Sequence, residues 1–162
     1  MSPLKNHSTT ITADRSASEI AALLARHGAE SVLWDYGPDK KVSAISFRIK
    51  TAAGVLPFRL PANAPAVQKT LYSQYVARRG VTRTQASLEA AQRVAWRILK
   101  NWVEAQMALI EVEMVSLEQV FLSYMLVGEN ETLYERLKTG GFKMLAAPRN
   151  DSDGQIRVLG EH

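Results

Sequence analysis

The sequence predicts an α+β fold: a small antiparallel β-meander with a short N-terminal helix, followed by a helical C-terminal half dominated by one long helix. Three observations carry this. Residues 84–127 contain neither Pro nor Gly and repeat apolar side chains with a period near 3.6. Upstream, 42–50 and 55–60 alternate apolar and polar residues with a period of two, which describes strands with one wet face. Between the two regions lies LPANAP, a run of turn and helix-start residues.

Taken in order, 8–12 reads as a short strand. Ser16 and Glu19 have capping-box spacing, so a helix is expected over 17–27, burying Ile20, Leu23 and Leu24 and stopping at Gly28. Strands follow over 30–36, with Val32, Trp34 and Tyr36 on one face, and over 42–50, with Ile45, Phe47 and Ile49 inward. The third strand, 55–60, turns Leu56, Phe58 and Leu60 inward, and Pro57 confines it to an edge or a bulge. Asn63 and Pro65 start a helix expected to run to about Arg79 and stop at Gly80. Thr82 or Thr84 caps the long helix, and Ser116 with Gln119 forms a second capping box where it kinks or restarts. Gly128 and Asn130 end it. Residues 132–138 make a last short helix closed by Gly140 and Gly141. The chain is thus read as one domain over 1–142, with a sheet subregion (8–60) and a helical subregion (63–138). Residues 143–162, poor in apolar side chains, are expected to form a disordered tail.

Composition narrows the function classes. Zero cysteines exclude disulfides, thiol nucleophiles and thiolate metal sites. The three histidines share no spacing suited to a metal, and no Walker loop, GxGxxG or Gly-flanked serine is present. Neither a metal, a cofactor nor an enzymatic activity is therefore expected. No apolar run approaches the ~18 residues of a membrane span, and MSPLKNHSTT lacks the apolar core of a signal peptide. A cytoplasmic protein with no membrane partner is the expectation.

The net charge of +4 conceals a segregation by sign. Residues 59–100 hold eight Lys or Arg against one acid, Glu89, whereas 101–135 hold seven Glu and no Lys or Arg. Arg93, Arg97 and Lys100 share a stripe of the long helix, with Trp96 beside them. Two guanidiniums one turn apart can each fork onto a phosphate, and an indole can stack on a base. Cations in the N-terminal half of a helix oppose its dipole, so helix stability alone does not place them there. Two other roles stay open: Trp96 as core packing, and the arginines as partners for glutamates of another chain. Arg48, Lys50 and Arg59 form a second basic cluster on the outward sheet face. Trp102, Leu109 and Val112 lie on one of two apolar seams too broad for one neighbour. A helix over 84–114 would be ~46 Å long, so an antiparallel two-fold contact in a homo-oligomer is expected, with basic halves facing acidic halves.

The block RVAWRILKNWVEAQMALIEVEMVSLEQVFLSYML, the later TLYERLK and the earlier SFRI and LPFRLPAN resemble a conserved family of phage and prophage proteins over about residues 8–142. The resemblance brings no catalytic motif. It implies a small phage factor acting in the host cytoplasm. The resulting expectation is a non-enzymatic protein that binds phosphate-bearing ligands and sequesters nucleotide immune signals to counter host defence. A single-stranded nucleic-acid-binding protein of phage DNA metabolism and a protein-binding inhibitor of a host defence system are the alternatives.

Overall fold

The computed structural model describes residues 2–146. It is an α+β fold in which one antiparallel sheet is covered on its inner face by helices. The order is α1 (Ala13–Arg26), β1 (Ala29–Tyr36), β2 (Val42–Thr51), β3 (Gly54–Pro61), α2 (Ala64–Val76), α3 (Leu88–Glu111) and α4 (Leu117–Phe121). A 3-10 turn (Leu122–Tyr124), the hairpin β4 (Leu126–Gly128) and β5 (Glu131–Thr132), then α5 (Leu133–Thr139) and α6 (Lys143–Ala146) follow.

The meander runs β1-β2-β3, with Phe47 facing Val32 and Phe58 across the two ladders. Pro57 lies on an outer strand, where its missing N–H breaks no interior ladder. Ile45, Phe47, Ile49, Phe58 and Leu60 point inward and are buried with Ile20 and Leu24 of α1 and Trp96, Val103 and Met107 of α3. Phe47 stacks on Phe58 at 5.2 Å, and Phe121 closes the cluster edge-on to Phe47. Tyr36, expected inward, is 63% exposed: it lies at the end of β1 and lines an open cleft with the starts of α1 and α3 instead of joining the core.

α1 begins one turn earlier than Ser16. Thr12 is the N-cap, its Oγ1 accepting from the Arg15 amide, and Ser16 is buried inside the helix. Residues 8–12 form no strand; turns at His7 and Thr9 carry the chain across α3. That path is anchored by Leu4, which packs on a second core of Leu71, Val81, Ala86, Ala91 and Val94.

α2 has the expected Asn63 cap but ends at Val76, where Arg78 takes a left-handed φ of 52°. Thr82 and Gln85 exchange two hydrogen bonds yet cap only a turn. The long helix proper starts after Ser87, whose Oγ accepts from the Ala90 amide. It has 24 residues, ~36 Å, and ends where Glu113 turns left-handed, before the predicted Ser116–Gln119 box starts α4. The chain then extends, because Met125 bridges to Phe58 at the open edge of β3; the β4–β5 hairpin replaces the helix expected up to Gly128. α5 is the short helix expected over 132–138 and has the predicted Gly140 stop; its start carries a capping box between Thr132 and Glu135 that was not among the expected caps. Of the expected tail, Lys143–Ala146 is a helical turn, and 147–162 lie outside the described residues.

Both apolar seams of α3 are largely covered within the chain. The sheet and α1 take one, and α2 takes the N-terminal part of the other through Leu71 and Val67.

Candidate functional site

The row of residues singled out on α3 is used internally. Trp96 has no exposed surface, and its Nε1 donates to the Val42 carbonyl at 3.2 Å. Its ring is a core element with no face for a base. Arg97 is buried, and both of its terminal nitrogens donate to Glu19 Oε2 on α1, at 2.6 and 3.1 Å. The cation that works against the helix dipole is thus explained by a partner in the same chain rather than by a ligand or another subunit. Lys100 donates to Glu104 at 2.7 Å, and that bond holds the Glu104 carboxyl below its ordinary range. Arg93 divides itself between the Thr9 carbonyl and Glu89. A charge reversal at Arg97 would set two carboxylates together beneath α1 and break the fold, so it cannot report on binding.

The second basic cluster is split as well. Arg59 and the Ser46 hydroxyl both donate to Asp35 Oδ2 across the outer face of the sheet, at 3.2 and 2.7 Å. Arg48 and Lys50 are exposed on the same face. Of the seam residues, Trp102 packs edge-on against Phe121 at 5.6 Å and is half-buried, as is Leu109. Val112 alone of the three stands free, 65% exposed.

With these ion pairs formed, the positive charge left over collects elsewhere. Between Asp39 and Glu89 the sequence has no acid. Within that stretch Lys69, Arg78 and Arg83 are exposed and make no salt bridge among the described residues. All three lie on α2 or on the connector to α3. Beside them is a cleft of about 440 Å³ lined by Gln68, Tyr72, Tyr75, Arg83, Ala86 and Ser87. The helical spacing 68, 72, 75 puts the amide and both phenol rings on one face of α2. Leu71 is the position that α2 buries fully, so Tyr72 stays 59% exposed. The two rings stand 6.2 Å apart at 52°. Ser87 caps α3 at the floor of the cleft, where the positive end of a 24-residue helix favours an anion. Aromatic faces, a guanidinium and a side-chain amide with no carboxylate among them match a base-and-phosphate ligand. The sequence held a signal for this corner in its acid-free run. Tyr72 and Tyr75 look there like apolar helix positions, because periodicity does not say which face a neighbour covers.

A second cleft of about 370 Å³ opens on the other side of the α3 start. It is lined by Thr12, Ala13 and Asp14 at the start of α1, by Glu89, Gln92 and Arg93 of α3, by Tyr36 and Val42 at the ends of β1 and β2, and by Lys40 and Lys41 of the turn between them. α1 and α3 therefore begin side by side and run in the same direction. Glu104, Glu111, Glu113 and Glu118 lie along or beyond the C-terminal half of α3, so the molecule has a basic pole and an acidic one.

No family model, curated protein or solved structure matches the chain. Among the described residues, no group of three or more His, Cys, Asp or Glu is placed to hold a metal, and no helix is long and apolar enough to cross a membrane.

Proposed function

We propose that the protein is a non-enzymatic binder of phosphate-bearing ligands, nucleotides first among them, and that the cleft between Tyr72, Tyr75 and Arg83 receives them. The observation that carries this reading is the coincidence, at one corner, of cations without carboxylate partners and an exposed aromatic ring. The phage resemblance gives such binding a use, sequestration of nucleotide immune signals in the host cytoplasm. A thermal-shift panel of inorganic phosphate, nucleoside monophosphates and triphosphates tests it, since a ligand of the native state raises the melting point. Saturable binding without turnover is expected. Arg83→Glu and Tyr72→Ala should each weaken it about tenfold or more, being exposed substitutions that remove one charge-assisted contact or one stacking face. A panel in which neither phosphate nor any nucleotide shifts the melting point overturns the proposal.

The acidic pole supports a second reading, a protein-binding inhibitor, because Val112 and Met114 are exposed there among Glu111 and Glu113. A stable complex with a host protein that survives Arg83→Glu and is lost in Glu111→Lys/Glu113→Lys would carry that reading instead.

A further inference from the structure

The two clefts of the basic pole share a wall. Ala86 and Ser87, at the start of α3, line one, and Glu89, Gln92 and Arg93, on its first turns, line the other. One helix width, ~10–12 Å with side chains, is therefore what separates them. Each cleft has the same parts on its rim. The first has Tyr72 with Arg83, and Lys69 and Arg78 nearby on α2 and the connector. The second has Tyr36, 63% exposed, with Lys40 and Lys41. Lys40 and Lys41 are exposed and form no salt bridge among the described residues, and Gly37, Pro38 and Asp39 set their hairpin against the cleft. The second cleft also holds Asp14 and Glu89, and Glu89 is already bound to Arg93. A single phosphate group would therefore meet mixed charge there, whereas a polyanion entering from the first cleft can follow the outer lysines and place a base on Tyr36.

We propose that the nucleotide site also takes a single-stranded nucleic acid whose backbone crosses the start of α3, with one base against Tyr72 and another against Tyr36. This rests on the nucleotide reading of the first cleft and specifies the class of ligand. A mononucleotide fills one cleft only. A duplex keeps its bases stacked on each other and offers neither ring a face. A continuous strand reaches both clefts and meets Lys40 and Lys41 at the second, and its affinity carries the salt dependence of released counterions.

The test measures binding of the full chain to thymidine monophosphate, to labelled oligothymidylates of increasing length and to a hairpin duplex, each at several salt concentrations. Affinity is expected to rise with strand length until both clefts are spanned and to be weaker for the duplex. Lys40→Glu/Lys41→Glu and Tyr36→Ala change exposed side chains. They should weaken oligothymidylate about tenfold or more and leave thymidine monophosphate unchanged. The lysine pair should also flatten the salt slope by about 0.7 for each phosphate that is no longer neutralised. Arg83→Glu and Tyr72→Ala should weaken both ligands. If oligothymidylate binds no better than the monophosphate, or if the Tyr36, Lys40 and Lys41 variants bind it as well as the parent, the second cleft is not used and this proposal falls while the nucleotide reading stands. If Arg83→Glu and Tyr72→Ala change nothing, the nucleotide reading falls and takes this one with it.

Discussion

Glu19→Ala tests the reassignment of Arg97 from ligand residue to structural residue. The Arg97 side chain is 11% exposed, and both terminal nitrogens rest on one oxygen of Glu19, whose own side chain is 32% exposed. Nε is buried and has no partner. Removing the carboxylate leaves a guanidinium between α1 and α3 with nothing to offset its desolvation. Breaking a fully buried pair costs ~3–5 kcal/mol. Glu19 is about one-third exposed, so water screens part of the interaction and about 2 kcal/mol is the expected loss. For a chain of this size that lowers the melting temperature by roughly 4–8 °C. Circular dichroism melts and urea titrations measure it, and the urea midpoint should fall with little change in slope. The double variant Glu19→Leu/Arg97→Met should recover much of the loss, because it removes both charges and keeps the volume. A Glu19→Ala protein that melts within about 1 °C of the parent would show that the pair does not hold α1 to α3. It would mean the guanidinium is well solvated and free to meet a ligand after all. The i, i+4 pairs Arg93–Glu89 and Lys100–Glu104 each have a well-exposed carboxylate and should be worth only ~0.3–0.5 kcal/mol in the same assay.

Trp96→Phe removes the hydrogen bond to the Val42 carbonyl and leaves that acceptor unpaired, so a loss of about 1–3 kcal/mol is expected with nucleotide affinity unchanged; a tenfold weaker affinity in a fully folded variant would return the indole to the site. The carboxyls of Glu135, held down first by the Thr132 amide, of Glu104, by Lys100, and of Glu118, by its own backbone amide, all lie below the ordinary 4.5. A depressed folded-state value stabilises above 4.5 and the gain is lost on further acidification, so the melting temperature should be level from neutral pH to about 5 and fall below that; Glu135→Gln should reduce the acid slope, and an unchanged slope would remove Glu135 from the account. The expected homo-oligomer is tested by light scattering against concentration: if the chain self-associates through the end of α3, Val112→Asp should weaken the association at unchanged melting temperature, since that side chain is exposed; Trp102→Asp should instead unfold the protein, because Trp102 packs on Phe121 and Tyr124. A Val112→Asp protein that associates as the parent does would place any subunit contact elsewhere.

The features legible before folding are those that depend on a few neighbouring residues. The Asn63 cap, the restart at Ser116 and Gln119, the Gly140 stop and the two-residue alternation of β2 and β3 all stand at the positions expected. Each is a contact within four residues or a strict repeat, and its free energy is local. How the charges are shared depends on contacts between residues far apart in the chain. Arg97 finds Glu19 across 78 residues, and Trp96 finds the Val42 carbonyl across 54. α1 is capped by Thr12 and not by Ser16, which leaves Ser16 buried and Glu19 in mid-helix, where it meets Arg97 of α3. Periodicity marks which positions of a helix are apolar but not how many neighbours surround it. Around Ala91–Arg97, α1, α2 and the sheet enclose nearly the whole of α3, so a stripe that looks wet in sequence is dry in the fold. Part of the basic surface that remains lies where α2, pressed against α3 by Leu71 alone among its fully buried large side chains, turns Tyr72 and Lys69 to water.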